Sequence, residues 1–134
     1  MNMELKLYRC AHCGNIAFKV VDKGVSLMCC GQKMEELVPN TTDGALEKHV
    51  PQITREGSHV TVQVGSTIHP MLEEHYIQLI AAVSGNKVTF QLPKPGDEPV
   101  LKAGGAGPVT AYEYCNLHGY WKGQEEDTAP RAGL

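Results

Sequence analysis

Apolar and polar residues alternate with a period of two along much of the chain, and glycine or proline interrupts the alternation every few residues. Val60-Thr61-Val62-Gln63-Val64 is the cleanest case. A period of two puts successive side chains on opposite faces of a strand, so that one face can be buried. Tyr76 to Val83, Lys87 to Leu92 and Val109 to Tyr114 read as further strands, with Ser84-Gly85-Asn86 as a hairpin turn. Pro93-Lys94-Pro95-Gly96-Asp97 and Gly104-Gly105-Ala106-Gly107-Pro108 read as turns or loops. No long amphipathic helix is predicted. Thr42 is placed to cap one helical turn through Leu46, which Gly44 weakens. Short strands punctuated in this way predict a β-sandwich over residues 38–125. Gln124 to Leu134 is polar, and residues 126–134 are expected to be a flexible tail.

Residues 1–37 are patterned differently. Leu5-Lys6-Leu7-Tyr8 alternates, and Asn15 to Val21 and Val25 to Met28 read as two more short strands turned at Lys23-Gly24. A unit this small is below the size that a hydrophobic core can hold, and it needs a metal, disulfides or a partner chain. Cys10, Cys13, Cys29 and Cys30 meet that need. A Cys-x-x-Cys turn aims two sulfurs at one point, and four thiolates suit tetrahedral zinc or a single iron. Adjacent cysteines cannot both occupy the standard turn, so one of Cys29 and Cys30 must depart from it. Val38 to Thr42 reads as the linker to the second unit.

Composition narrows the function. The 134 residues are 42% hydrophobic and 20% charged, with a net charge of −3. Lysine and arginine are scattered and outnumbered by acids, so no nucleic-acid footprint is expected. Neither a leader segment nor a membrane span is expected, which points to the cytoplasm. Five cysteines in that setting suit metal ligation or redox work better than a disulfide framework.

The fifth cysteine lies in Cys115-Asn116-Leu117-His118-Gly119. A turn brings positions i and i+3 together, so this thiol and imidazole can reach one ion. Upstream stand Glu47-Lys48-His49-Val50-Pro51 and His69-Pro70-Met71-Leu72-Glu73-Glu74-His75-Tyr76. Four imidazoles and a thiolate suit iron, copper, zinc or nickel, with the sulfur favouring redox chemistry. His12, inside the cysteine turn, and His59, after Gly57-Ser58, read as exposed turn residues. Trp121 reads as core or cover for the site, and Tyr112 and Tyr114 as sharing a face packed near it. Lys48 offers a local positive charge, or is an ordinary solvated lysine.

The cysteine pattern resembles desulforedoxin. Followed by the His49, His69–His75 and Cys115–His118 motifs in this order, it resembles desulfoferrodoxin, the two-iron superoxide reductase, over residues 4 to 122. That resemblance implies a mainly β chain: a desulforedoxin-like iron domain at 1–37 and an immunoglobulin-like β-sandwich at 38–125. It implies iron at Cys10, Cys13, Cys29 and Cys30, with zinc possible there, and a catalytic iron held by His49, His69, His75, His118 and Cys115. It implies one-electron reduction of superoxide to hydrogen peroxide, detoxifying superoxide in anaerobes or microaerophiles, with electrons from a rubredoxin-like donor, in a homodimer. Glu47 and Lys48 match the family's acid–base pair at the open iron position. Leu72, Glu74 and Leu79 depart from the family pattern near the ligands. Two other readings compete: an electron-transfer or sensor protein, and a zinc-ribbon binding module joined to a sandwich.

Overall fold

A computed structural model describes residues 1–42, 46–66 and 69–125, with the backbone alone at Leu46 and Glu47. The proposed tail at 126–134 lies outside the described residues. The chain divides into two compact units, Glu4–Val38 and Met1–Met3 with the chain from Pro39 onward.

In the first unit, β1 (Leu7–Arg9) pairs with β2 (Ile16–Phe18), while β3 (Met28–Cys29) pairs with β4 (Gln32–Lys33) and β5 (Glu35–Glu36) pairs with β1. The expected strand from Val25 to Met28 is thus reduced to its last residue. The Asp22-Lys23-Gly24 turn ahead of it is closed by the Asp22 carboxylate, which accepts the Gly24 N–H at 2.8 Å. The Val25 carbonyl is taken by Lys19 Nζ at 2.6 Å and not by a neighbouring strand.

The second unit opens with α1 (Leu46–His49), which leads into β6 (Pro51–Glu56). The turn expected from Thr42 through Leu46 falls on residues 43–45, outside the described residues. The Thr42 hydroxyl donates to the His118 carbonyl. Then follow β7 (His59–Val64), β8 (Ile77–Ser84), β9 (Lys87–Gln91), β10 (Val100–Gly104), β11 (Thr110–Cys115) and β12 (Gly119–Gln124). They form two antiparallel sheets, β10-β7-β6 and β12-β11-β8-β9.

The core lies between the inner faces. Val60, Val62 and Val64 from β7 and Ile53 from β6 meet Ile77, Ile80, Ala82, Ala111 and Cys115. A bulge brings Ile77 into this set: Leu79 pairs with Tyr114 but Ile77 with Cys115, which leaves Gln78 as the extra residue. In a regular strand, Ile77 and Ile80, three residues apart, would point to opposite faces; the bulge puts both on one. Along β11, Ala111, Glu113 and Cys115 share the core face by alternation, and Tyr112 and Tyr114 share the other. The expectation that the tyrosines face the site is therefore corrected. Tyr112 stacks on Tyr120 at 5.5 Å, beneath the Lys122 ammonium. Leu79, opposite Tyr114, also lies on the far face.

Candidate metal centres

The four sulfurs of Cys10, Cys13, Cys29 and Cys30 lie within 4.8 Å of one another. Gly14, at φ 83°, turns the chain so that its N–H donates to the Cys10 carbonyl at 2.9 Å. The same turn points the Cys13 N–H at Cys10 Sγ and the Asn15 N–H at Cys13 Sγ, each at 3.5 Å. These donors favour thiolate, and the Cys13 N–H is the chief reason that the Cys10 thiol falls to about 6. Cys30 is pushed up to about 12, chiefly by sharing its proton with the Cys13 sulfur. The adjacent pair is accommodated by backbone. Cys30 takes φ 53° and Gly31 φ 75°, a left-handed step that turns consecutive sulfurs inward. His12 is exposed beside this turn.

The second group comprises His49, His69, His75, Cys115 and His118, whose donor atoms also lie within 4.8 Å of one another. The imidazoles close a ring. Centroids are 4.7 Å apart for His49–His69, His69–His75 and His49–His118, and 5.0 Å for His75–His118, all edge to face. His69 Nδ1 meets the Pro70 carbonyl at 2.7 Å. As the donor there, the neutral ring turns a lone pair at Nε2 toward its neighbours, 3.1 Å from His49 Nε2. His75 Nε2 is buried with no hydrogen-bond partner among the described residues. Convergent lone pairs and an orphaned buried nitrogen are costly unless a cation sits among them, so this donor set fits a metal ion. Burial lowers the His69 pKa to about 4, which keeps the ring neutral as ligation requires.

Each ligand is braced from outside. The hairpin register Cys115↔Gly119 leaves His118 in a three-residue turn, with Cys115 Sγ 3.8 Å from His118 Nδ1. Asn116 ties that turn to the next loop: its Oδ1 accepts the Tyr76 N–H at 2.9 Å and its Nδ2 donates to the Glu74 carbonyl at 3.1 Å. Leu72 and His75 close the loop through mutual backbone hydrogen bonds of 2.9 and 3.2 Å. The Leu72 side chain is exposed. Trp121, fully buried, stacks on His49 at 5.1 Å and donates to the His118 carbonyl at 3.1 Å, so it is both core and site cover. Burial lowers the His75 pKa, with the His118 and Lys48 charges adding to the effect and Glu74 opposing it. Lys48 is exposed, and the Glu47 side chain lies outside the described residues.

One buried residue was not singled out from sequence. Glu113 is wholly buried, and neither carboxylate oxygen has a hydrogen-bond partner among the described residues. Desolvation raises its pKa well above the ordinary carboxylate value. Desolvation also raises the Cys115 pKa, with the Glu113 charge adding to it against the Leu117 and His118 N–H groups.

An all-sulfur group and an imidazole-rich group with one sulfur define a two-site metalloprotein on a mainly β framework. The chain belongs to the desulfoferrodoxin family: residues 41–124 match the desulfoferrodoxin model and residues 2–37 match that of the desulfoferrodoxin N-terminal domain. It is 42% identical over 125 residues to the desulfoferrodoxin of Nitratidesulfovibrio vulgaris, covering 92% of this chain and 99% of the relative. It is 44% identical over 123 residues to a desulfoferrodoxin homolog of Archaeoglobus fulgidus, covering 91% and 98%. Among solved structures it is similar to the superoxide reductase from Treponema pallidum, with a TM-score of 0.73, 29% identity, and 90% and 99% of the two chains covered.

Proposed function

We propose that this chain is a superoxide reductase: superoxide, one electron and two protons give hydrogen peroxide. The observation that carries the reading is the closed ring of four imidazoles with one thiolate, all five donor atoms within 4.8 Å. His49, His69, His75, His118 and Cys115 would hold iron there. Iron in this set would supply the electron and regain it from a donor.

The remaining work falls to the chain itself. The Pro70 carbonyl keeps the His69 proton on Nδ1, and Trp121 and Asn116 hold His49 and the Cys115–His118 turn in place. Lys48 supplies a positive charge against a net charge of −3. Its effect on His75 supports a place near the site mouth. Glu47 is assigned as its acid–base partner, on sequence alone. Cys10, Cys13, Cys29 and Cys30 would hold a second iron, with zinc the alternative. We assign residues 1–37 and 38–125 as the two working domains, a rubredoxin-like protein as donor, and a homodimer as the assembly. We place the chain in the cytoplasm, where cysteines serve as metal ligands more often than in disulfides. No helix among the described residues is long and apolar enough to cross a membrane.

Metal analysis and superoxide consumption test the reading together. Two iron per chain, with peroxide formed and no dioxygen evolved, is the expected result. Evolution of dioxygen would mean dismutation, and zinc in the histidine group would exclude the redox role.

A further inference from the structure

The chain ahead of His49 is fastened to β12 by hydrogen bonds that no ligand role requires. Asn40 takes φ 62°, a left-handed conformation that Asn tolerates better than most residues. Its N–H donates to the Tyr120 carbonyl at 2.9 Å. Its Nδ2 donates to the Lys122 carbonyl at 3.3 Å, and its Oδ1 accepts the Lys122 N–H at 2.8 Å. One side chain therefore meets both backbone polar groups of one residue on β12.

Two residues later, the Thr42 hydroxyl donates to the His118 carbonyl, which Trp121 Nε1 also reaches at 3.1 Å. Gly119 makes the space. A Cβ there would stand 2.7 Å from Thr42 Oγ1 and 3.1 Å from Cγ2, too close for either atom to stay. The segment ends at His49, whose ring is 4.7 Å from that of His118 and is stacked on Trp121. Thr42 and His49 thus both meet the Cys115–His118 turn and β12.

We propose that Asn40 and Thr42 are positioning residues for superoxide reduction, clamping the chain ahead of His49 to β12 so that Lys48 is presented to the incoming anion. This rests on the reading of Lys48 as the attracting charge. Without the Asn40 and Thr42 side-chain bonds, the chain ahead of His49 is tied less firmly to β12 and the Lys48 ammonium samples a larger volume. The mean field at the site mouth then falls, while the ligands stay where the sheets and Trp121 hold them.

The test is a double-mutant cycle on the iron-loaded protein: parent, Asn40→Gly, Lys48→Ala and the double variant. Glycine keeps the left-handed backbone and removes only the amide, so the fold is retained. The rate with superoxide after prereduction is read at several salt concentrations, together with iron content, absorption spectrum and exchange of the Lys122 amide proton. Asn40→Gly is expected to speed that exchange, leave iron and spectrum unchanged, and lower the rate about threefold with a flatter salt dependence. It should lower the rate no further when Lys48 is already alanine. Thr42→Val should show a smaller loss of the same kind, restored in Thr42→Ser. Equal losses in both backgrounds would overturn the proposal, because Asn40 would then serve the ligands or the fold. An unchanged rate despite faster exchange would also overturn it. If Lys48→Ala alone leaves the rate and salt slope unchanged, the reading of Lys48 fails, and the proposal fails with it by a separate result.

Discussion

The two candidate metal groups are prepared in opposite ways. Among the described residues of Glu4–Val38, the buried apolar side chains are Leu5, Leu7 and Cys10, while Val20, Val21, Val25 and Met28 are exposed. Cys10 is itself a ligand candidate, so the thiolates stand where a core would. The histidine group borrows a fold that exists without it. Cys115 is one member of an eleven-residue apolar cluster between two sheets, and His49 and His69 are buried at its margin. The thiols follow the same division. Backbone N–H groups draw Cys10 down to about 6, while burial pushes Cys115 up. In the first unit an ion at the thiols would organise the chain; in the second the chain organises the donors.

Removing one ligand from each group should separate the two regimes, and the first unit should suffer most. Cys13→Ser is expected to cost the four-cysteine ion and the fold of Glu4–Val38 together. Apparent binding energies of structural zinc sites are on the order of 10 kcal/mol, comparable with the whole stability of a small domain. Hydrogen exchange should show protection lost across β1–β5 and kept in β7, β8 and β11. Protection kept in β1–β5 would mean that the unit folds without its ion.

Cys115→Ser should do the reverse. The sandwich remains, because one sulfur is a small part of the cluster, and the first group's absorption is unchanged. The thiolate band of the histidine site should vanish, and activity should fall by about two orders of magnitude or more, beyond the loss typical for an outer-shell partner. Loss of the first group's spectrum in this variant would break the partition.

Glu113 sharpens the comparison from the energetic side, as a cost that the second unit's large core can carry. Its folded pKa is raised above the ordinary 4.5, so over that interval the folded state binds more protons than the unfolded state. Stability is then greatest below the unfolded value and falls as pH rises through the folded one. Glu113→Met should stabilise the sandwich by about 1–3 kcal/mol at high pH, and by less near pH 4. Thermal melts of parent and variant across pH measure the gap. A gap that does not widen with pH would mean that the carboxyl has a charge partner in the folded protein.

How much of this was legible in the sequence follows from how each residue acts. The ligands were legible because metal chemistry restricts both residue type and local spacing, as in Cys10–Cys13 and Cys115–His118. β7 was legible from alternation, and β8, β9 and β11 as short runs bounded by Gly and Pro. β6, β10 and β12 were not, because Arg55 follows Ile53 at the inward position of β6, Val100 adjoins Leu101 in β10, and Gly119 and Gly123 take the inward positions on either side of Trp121 in β12. Asn116 and Asn40 escaped because they act on backbone groups 40 and 82 residues away, which no local pattern marks. Glu113 escaped for another reason. In the alternation it stands between two tyrosines like any solvent-facing acid, and only the pairing of β11 with β8 and β12 on both sides reveals that its face is the core.

The smallest expected effect tests whether the second site also relies on charge placed by its fold. Lys48 is exposed and adjacent to His49, and its charge is felt at His75. Attraction between an anion and a fixed charge fades over a Debye length of about 8 Å at physiological salt. A lysine at the mouth can therefore outweigh a net charge of −3 spread over the surface. Steering by many charges reaches factors of 10 to 1,000, and a single lysine belongs at the lower end. Lys48→Ala should lower the second-order rate with superoxide roughly tenfold and flatten its dependence on ionic strength. Lys48→Arg should keep most of the rate, because attraction at this range needs charge and no particular donor geometry. Neither variant should alter iron content or spectrum, since Lys48 is no ligand. Pulsed superoxide against the prereduced protein, at several salt concentrations, gives both the rate and its slope. If the alanine variant keeps both, Lys48 is an ordinary solvated lysine, and the ions alone supply the attraction.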